Sequence, residues 1–228
     1  MLNLINHGNY FCSDSFRSVS SRSNMKTKII QKATSLFLKL GFKSVTMDDI
    51  ADELAISKKT IYIHFKNKTA LVKQCTFSIL DRITNGIDKI CSLDKNPIDE
   101  LFEIKKFIMD ELRNEESSPQ YQLEKYYPEI SKSLRQNQFD VMMKCTKRNI
   151  VRGIAMGLYR KNLDPEFIAR VYFVGITGIR DQNLFPNQQF STTYIADEYL
   201  EYHLRGIVTP QGLLSLNRFI KENQTDDE

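Results

Sequence analysis

The chain has 228 residues, 41% hydrophobic and 26% charged, with only 9 Gly and 6 Pro. This is the make-up of an ordinary globular protein of one large or two modest domains, and it leaves little room for long irregular loops. The formal charge of +4 is uneven: residues 25–75 carry 10 Lys or Arg against 4 Asp or Glu, and residues 76–228 carry 20 against 23. A basic block beside a mildly acidic remainder suggests one part that meets a polyanion and another with a different task.

Residues 1–24 hold six serines and no helical period, so they are expected to be a loose tail, or to precede the true start at Met25. From Lys26 to Leu40, Ile29, Ile30, Ala33, Leu36, Phe37 and Leu40 fall at helical spacing, and Gly41 follows as a helix terminator. Thr46 is placed to cap a second helix, whose first-turn Asp48 and Asp49 suit the positive end of its dipole. Ile50, Ala51, Leu54 and Ala55 form its apolar face, and Ile56-Ser57 breaks it. Ser57 caps a third, short helix from Lys58 to Phe65, and Asn67 caps a fourth beginning near Lys68. Longer helices are predicted over 68–92, 98–115, 119–134, 138–160, 165–183, 192–208 and 211–222. Pro97, Pro119, Pro165 and Pro210 stand near four of the starts. The expected fold class is therefore all-α.

Three short helices with a tight turn between the second and third make a helix-turn-helix, whose third helix enters the DNA major groove. Ile61 and Phe65, four apart, share one face and are expected to bury against Ile50 and Leu54. The opposite face shows Lys58, Lys59, Thr60 and Tyr62. Lysines there reach phosphates or guanine acceptors, and the tyrosine packs on sugar or a thymine methyl. A lysine-rich helical face is more often merely solvated, and a single aromatic or histidine such as His64 is more often packing or surface. The combination at this spacing favours DNA.

The stretch GFKSVTMDDIADELAISKKTIYIHFKNKTALV, residues 41–72, resembles the DNA-binding half of TetR-family transcriptional regulators. Gly41, Thr46, Ile50, Ala51, Ser57, Thr60, Ile61, Tyr62, His64, Phe65, Lys68 and Leu71 all match the family pattern. The chain departs from it at Ala55-Ile56, where many members place Gly; that is harmless if Ala55 has ordinary backbone angles. The resemblance implies that Thr46 holds a backbone phosphate and that Lys58 and Lys59 read bases. It also implies that Thr60, Tyr62 and His64 touch the phosphate-sugar edge, and that Lys68 grips another phosphate at the fourth helix's start.

The domains implied are a tail over 1–24, a helix-turn-helix domain over 25–72 and an effector-binding, dimerising helical domain over 73–228. Glu166–Leu184 is apolar almost all round, and Tyr194, Ile195, Tyr199, Leu200 and His203 mark one face of the next helix. By resemblance these two helices form a homodimer. The function implied is a ligand-responsive repressor that binds double-stranded DNA at a palindromic operator, with a small-molecule effector whose pocket residues stay unassigned. The alternative is a protein-interaction module on the same fold.

No Gly-x-Ser-x-Gly, phosphate loop or metal-binding cluster argues for an enzyme, so no catalytic residue, metal or cofactor is expected. Cys12, Cys75, Cys91 and Cys145 contain no C-x-x-C pair and read as reduced thiols in a cytoplasmic protein. The most apolar run, residues 167–179, is too short to span a membrane and holds Arg170.

Overall fold

A computed structural model describes residues 14–112, 119–181, 183–186 and 188–224. Among them ten helices follow one another: α1 (Asp14–Leu40), α2 (Met47–Glu53), α3 (Lys58–His64), α4 (Lys68–Ser92), α5 (Pro97–Leu112), α6 (Pro119–Tyr126), α7 (Pro128–Ala155), α8 (Pro165–Gly178), α9 (Thr192–Ile207) and α10 (Pro210–Gln224). The chain divides into two compact units, Met1–Thr76 with Glu116–Gln122, and Phe77–Glu115 with Leu123–Glu228.

Four boundaries differ from expectation. First, α1 reaches back to Asp14, into the serine-rich stretch read as a tail. Serine costs only about 0.5 kcal/mol per residue in a helix, and adding residues to an existing helix is far easier than nucleating one. Residues 1–13, with Cys12, lie outside the described residues.

Second, the expected break at 134–138 is absent and α7 runs through it unbroken. The break falls instead at Tyr127, whose φ of −138° lies outside the helical range. The cause is Pro128, which lacks an N–H and pushes the residue before it out of the α region. Third, α8 stops at Gly178 rather than at residue 183. Fourth, α7 ends at Ala155 rather than at residue 160.

The first unit is a small three-helix core. Ile29, Ala33 and Phe37 line one face of α1 at a spacing of four, and all are buried. Ile50 and Ala51 of α2 and Ile61 of α3 are buried too, and the three helices pack on one another. Gly41, with φ 85°, turns the chain out of α1, and the Phe37 and Phe42 rings meet at 5.2 Å across that turn.

The second unit has its main apolar core around Ile98, Leu101 and Phe102 of α5, Tyr159, and Leu200, Leu204 and Ile207 of α9. A polar network stiffens it. Glu100 is fully buried on α5 and accepts from Arg152 Nη1 at 2.6 Å and from Asn149 Nδ2 at 2.8 Å, both on α7. Asn149 also donates to the Pro97 carbonyl and accepts from the Tyr159 hydroxyl. Gly153 makes this possible: a Cβ there would lie 2.0 Å from the Tyr159 ring.

Two more α7 arginine contacts tie down the end of α4 and the loop before α5. Arg148 donates to the Cys91 carbonyl, and Arg152 to that of Lys95. Replacing Glu100 with Ala strands buried donors and a cation. We expect a loss of about 3 kcal/mol or more in urea denaturation.

His203 of α9 is 9% exposed, lies against the Tyr172 ring at 4.6 Å, and has no hydrogen-bond partner at Nε2. Burial pushes its pKa down from 6.5 to about 4. Between those values the unfolded chain binds the proton and the folded chain does not, so stability falls as pH drops. Between pH 7 and pH 5 the wild type is expected to lose about 2 kcal/mol more than His203→Gln, measured as urea midpoints at both pH values.

Candidate nucleic-acid interface

The α2–α3 corner is built by two caps and a turn. Thr46 opens α2 in a reciprocal capping box: its hydroxyl accepts from the Asp49 N–H at 3.1 Å, and its own N–H donates to Asp49 Oδ2 at 2.7 Å. These bonds hold the Asp49 carboxyl below its usual range, the bond from the Thr46 backbone N–H most strongly. Ser57 opens α3, its Oγ accepting from the Thr60 N–H at 3.1 Å.

Between the caps the chain leaves α2 in a Schellman turn. The Ile56 N–H reaches the Ala51 carbonyl, and the Ala55 N–H that of Asp52. Ala55 therefore has φ 51°, in the left-handed region. The condition under which the Ala55-Ile56 departure would be harmless is not met: this is the position that favours glycine, and the alanine Cβ strains it.

Every expected interface residue lies in the first unit, though not all are equally available. Ile61 and Phe65 are buried, which turns the rest of α3 outward. Lys59 and Tyr62 are exposed. Lys58 is exposed as well but is held at 2.7 Å by Asp48 Oδ2, which pushes its ammonium above the ordinary range. Thr60 is tied into the cap, its hydroxyl 2.9 Å from that of Ser57. His64 is partly buried, with its ring 6.5 Å from that of Phe65.

Thr46 is exposed, but the acids Asp48 and Asp49 follow it directly. Lys68 is the first residue of α4; partial burial lowers its pKa, while the charge of Asp49 acts against that. Asn67 caps α4, its Oδ1 accepting from the Ala70 N–H.

Sequence reasoning missed Ile63, which is 65% exposed on the same face as Lys59, four residues away. The signal was available: on a helix that buries Ile61 and Phe65, position 63 must point away from the core.

The model for "Bacterial regulatory proteins, tetR family" matches residues 29–75, from the second half of α1 through α2 and α3 to the start of α4. Over 200 residues the chain is 24% identical to the HTH-type transcriptional repressor KstR2 of Mycolicibacterium smegmatis, covering 85% of this chain and 95% of that one. Residues 29–75 thus carry the tetR-family pattern. The chain is also 34% identical over 87 residues to IcaR of Staphylococcus aureus, the negative transcriptional regulator of the biofilm operon icaADBC. That match covers 38% of this chain and 47% of IcaR.

A crystal structure of a transcriptional regulator from Saccharomonospora viridis in complex with choline shares the fold, with a TM-score of 0.66 at 21% identity. The likeness covers 82% of this chain and 99% of that one. The relatives are transcriptional regulators rather than enzymes, and the matched segment is the one that carries the tetR-family regulatory pattern. Among the described residues no helix is long and apolar enough to cross a membrane.

The strained turn yields a direct test. Ala55→Gly should raise stability by about 0.5–1 kcal/mol, because relief of the left-handed strain exceeds the added chain entropy of glycine. A chemical denaturation midpoint measures it.

Proposed function

We propose that this protein is a ligand-responsive repressor that binds a palindromic operator as a homodimer through the exposed face of α3. The observation that carries the reading is the geometry of that helix. Ile61 is buried completely while Lys59, Tyr62 and Ile63 stand exposed beside it. A helix held by one apolar edge with its basic and aromatic residues in solvent suits the major groove.

In this reading Lys58 and Lys59 meet bases, Tyr62 and His64 the sugar-phosphate edge, and Thr46 and Lys68 phosphates. Ile63 adds an apolar contact of the kind a thymine methyl offers. Thr60 acts mainly by holding the α3 cap. Lys58 exchanges Asp48 for a DNA partner on binding. Their ion pair is largely exposed and therefore weak, so it yields readily to a polyanion.

The homodimer is supported by α8 and α9. Phe167, Val171 and Val174 follow one another on α8 at spacings of four and three, and all are exposed, as are Tyr194 and Tyr202 on α9. Apolar faces of this kind on a monomer mark interaction sites. Two copies related by a two-fold axis would set two α3 helices on half-sites one turn of DNA apart, about 34–36 Å, or a multiple of that. An effector that favours a different separation lowers DNA affinity by linkage. The choline complex of the S. viridis regulator supports a small-molecule effector as the ligand class.

The test is fluorescence anisotropy of a duplex taken from upstream of the protein's own gene, against unrelated DNA, at several salt concentrations. At least a thousandfold preference with two subunits per site is the expected result. Equal, steeply salt-dependent binding to both duplexes would leave only phosphate contact. No binding to either would favour the protein-interaction alternative. In the same assay Lys68→Ala should weaken all sequences alike and flatten the salt slope by about one, whereas Lys59→Ala should alter base preference by about 1–3 kcal/mol.

A further inference from the structure

Cys91 lies in the last turn of α4 and Cys145 in the second half of α7, and their sulfurs stand 3.6 Å apart. Both are free thiols. Cys91 forms a small buried apolar cluster with Ile87 and Ile104, and Cys145 packs against it; Cys91 is 3% exposed and Cys145 is partly buried. Arg148, one turn along α7 from Cys145, donates to the Cys91 carbonyl at 2.7 Å and holds the end of α4 against α7. The two thiols are thus kept in register by a bond that does not involve sulfur.

We infer that Cys91 and Cys145 form an oxidisable dithiol that a hydroperoxide converts into an intramolecular disulfide. Nothing in the DNA-binding reading uses either residue. The two sulfurs are in direct van der Waals contact with no atom between them, and a disulfide requires them to close to about 2.05 Å.

The pair is also chemically asymmetric. The hydrogen bond from Cys145 lowers the pKa of Cys91, whereas that bond and burial raise the pKa of Cys145. In the proposed reaction Cys91 acts as the attacking thiolate and Cys145 as the proton-bearing partner.

The chemistry balances with a hydroperoxide as oxidant. The Cys91 thiolate attacks one peroxide oxygen, the O–O bond breaks, and the departing oxygen takes a proton to leave as water or an alcohol. Cys91 is then a sulfenic acid. The Cys145 sulfur attacks it, the S–O bond breaks as the S–S bond forms, and the hydroxide leaves with the Cys145 proton as water. Two thiols give two electrons and the peroxide takes both.

The full chain, purified reduced, would be treated with hydrogen peroxide, and its free thiols counted under denaturing conditions. The count should fall from 4 to 2 and return to 4 with dithiothreitol. Non-reducing peptide mapping should show one cross-linked species, joining Cys91 to Cys145. In Cys145→Ser the cross-link should vanish, and a dimedone adduct should accumulate on Cys91 instead. Circular dichroism confirms that this variant is folded before it is scored. An unchanged thiol count, over-oxidation of Cys91 without a cross-link, or a disulfide through Cys12 or Cys75 overturns the inference.

Discussion

A helix of seven residues has no stability of its own, and α3 is seven residues long. What holds it is one buried side chain, Ile61, wedged into the small core that α1 and α2 already form, with Phe65 closing the end. Everything the protein offers to DNA hangs from that anchor. Because Ile61 fixes the rotation of the helix, it also fixes which side chains meet solvent. The caps do the rest: Ser57 starts α3 at one register and the Schellman turn aims it, so the rim of the interface is set by backbone hydrogen bonds.

Charge at this corner is balanced rather than simply positive. Asp48 and Asp49 occupy the first turn of α2, where both suit its dipole and Asp49 accepts from the Thr46 N–H. The same carboxylates restrain Lys58 directly and lie in the field of Lys68. The corner is therefore well behaved without DNA, at the cost of some attraction toward it. Basic side chains not engaged by these acids, Lys59 above all, then dominate the encounter.

Much of this was legible in the sequence because periodicity and caps are local. The helices from α2 to α4 lie within a residue or two of their predicted limits, since Thr46, Ser57 and Asn67 announce them. The α6–α7 boundary was misplaced because one proline, Pro128, was passed over in favour of a polar stretch that the helix tolerates. The strain at Ala55 follows from where α2 ends, which composition does not reveal. The Glu100 network was not legible at all. A glutamate at the start of a helix reads as a solvent-facing dipole partner, and only the tertiary approach of Asn149 and Arg152 shows it to be a buried hub.

The long helix α7 carries these attachments very unevenly. From Met143 onward it bears the buried Met143, Thr146, Asn149, Ile150 and Gly153, and the arginines that hold α5 and its preceding loop. Between Ile130 and Met143 no residue is buried. One continuous helix thus spans two local stabilities. Amide protons in its second half are therefore expected to be better protected against hydrogen exchange than those in its first half, with the polar network as the clamp that sets the difference.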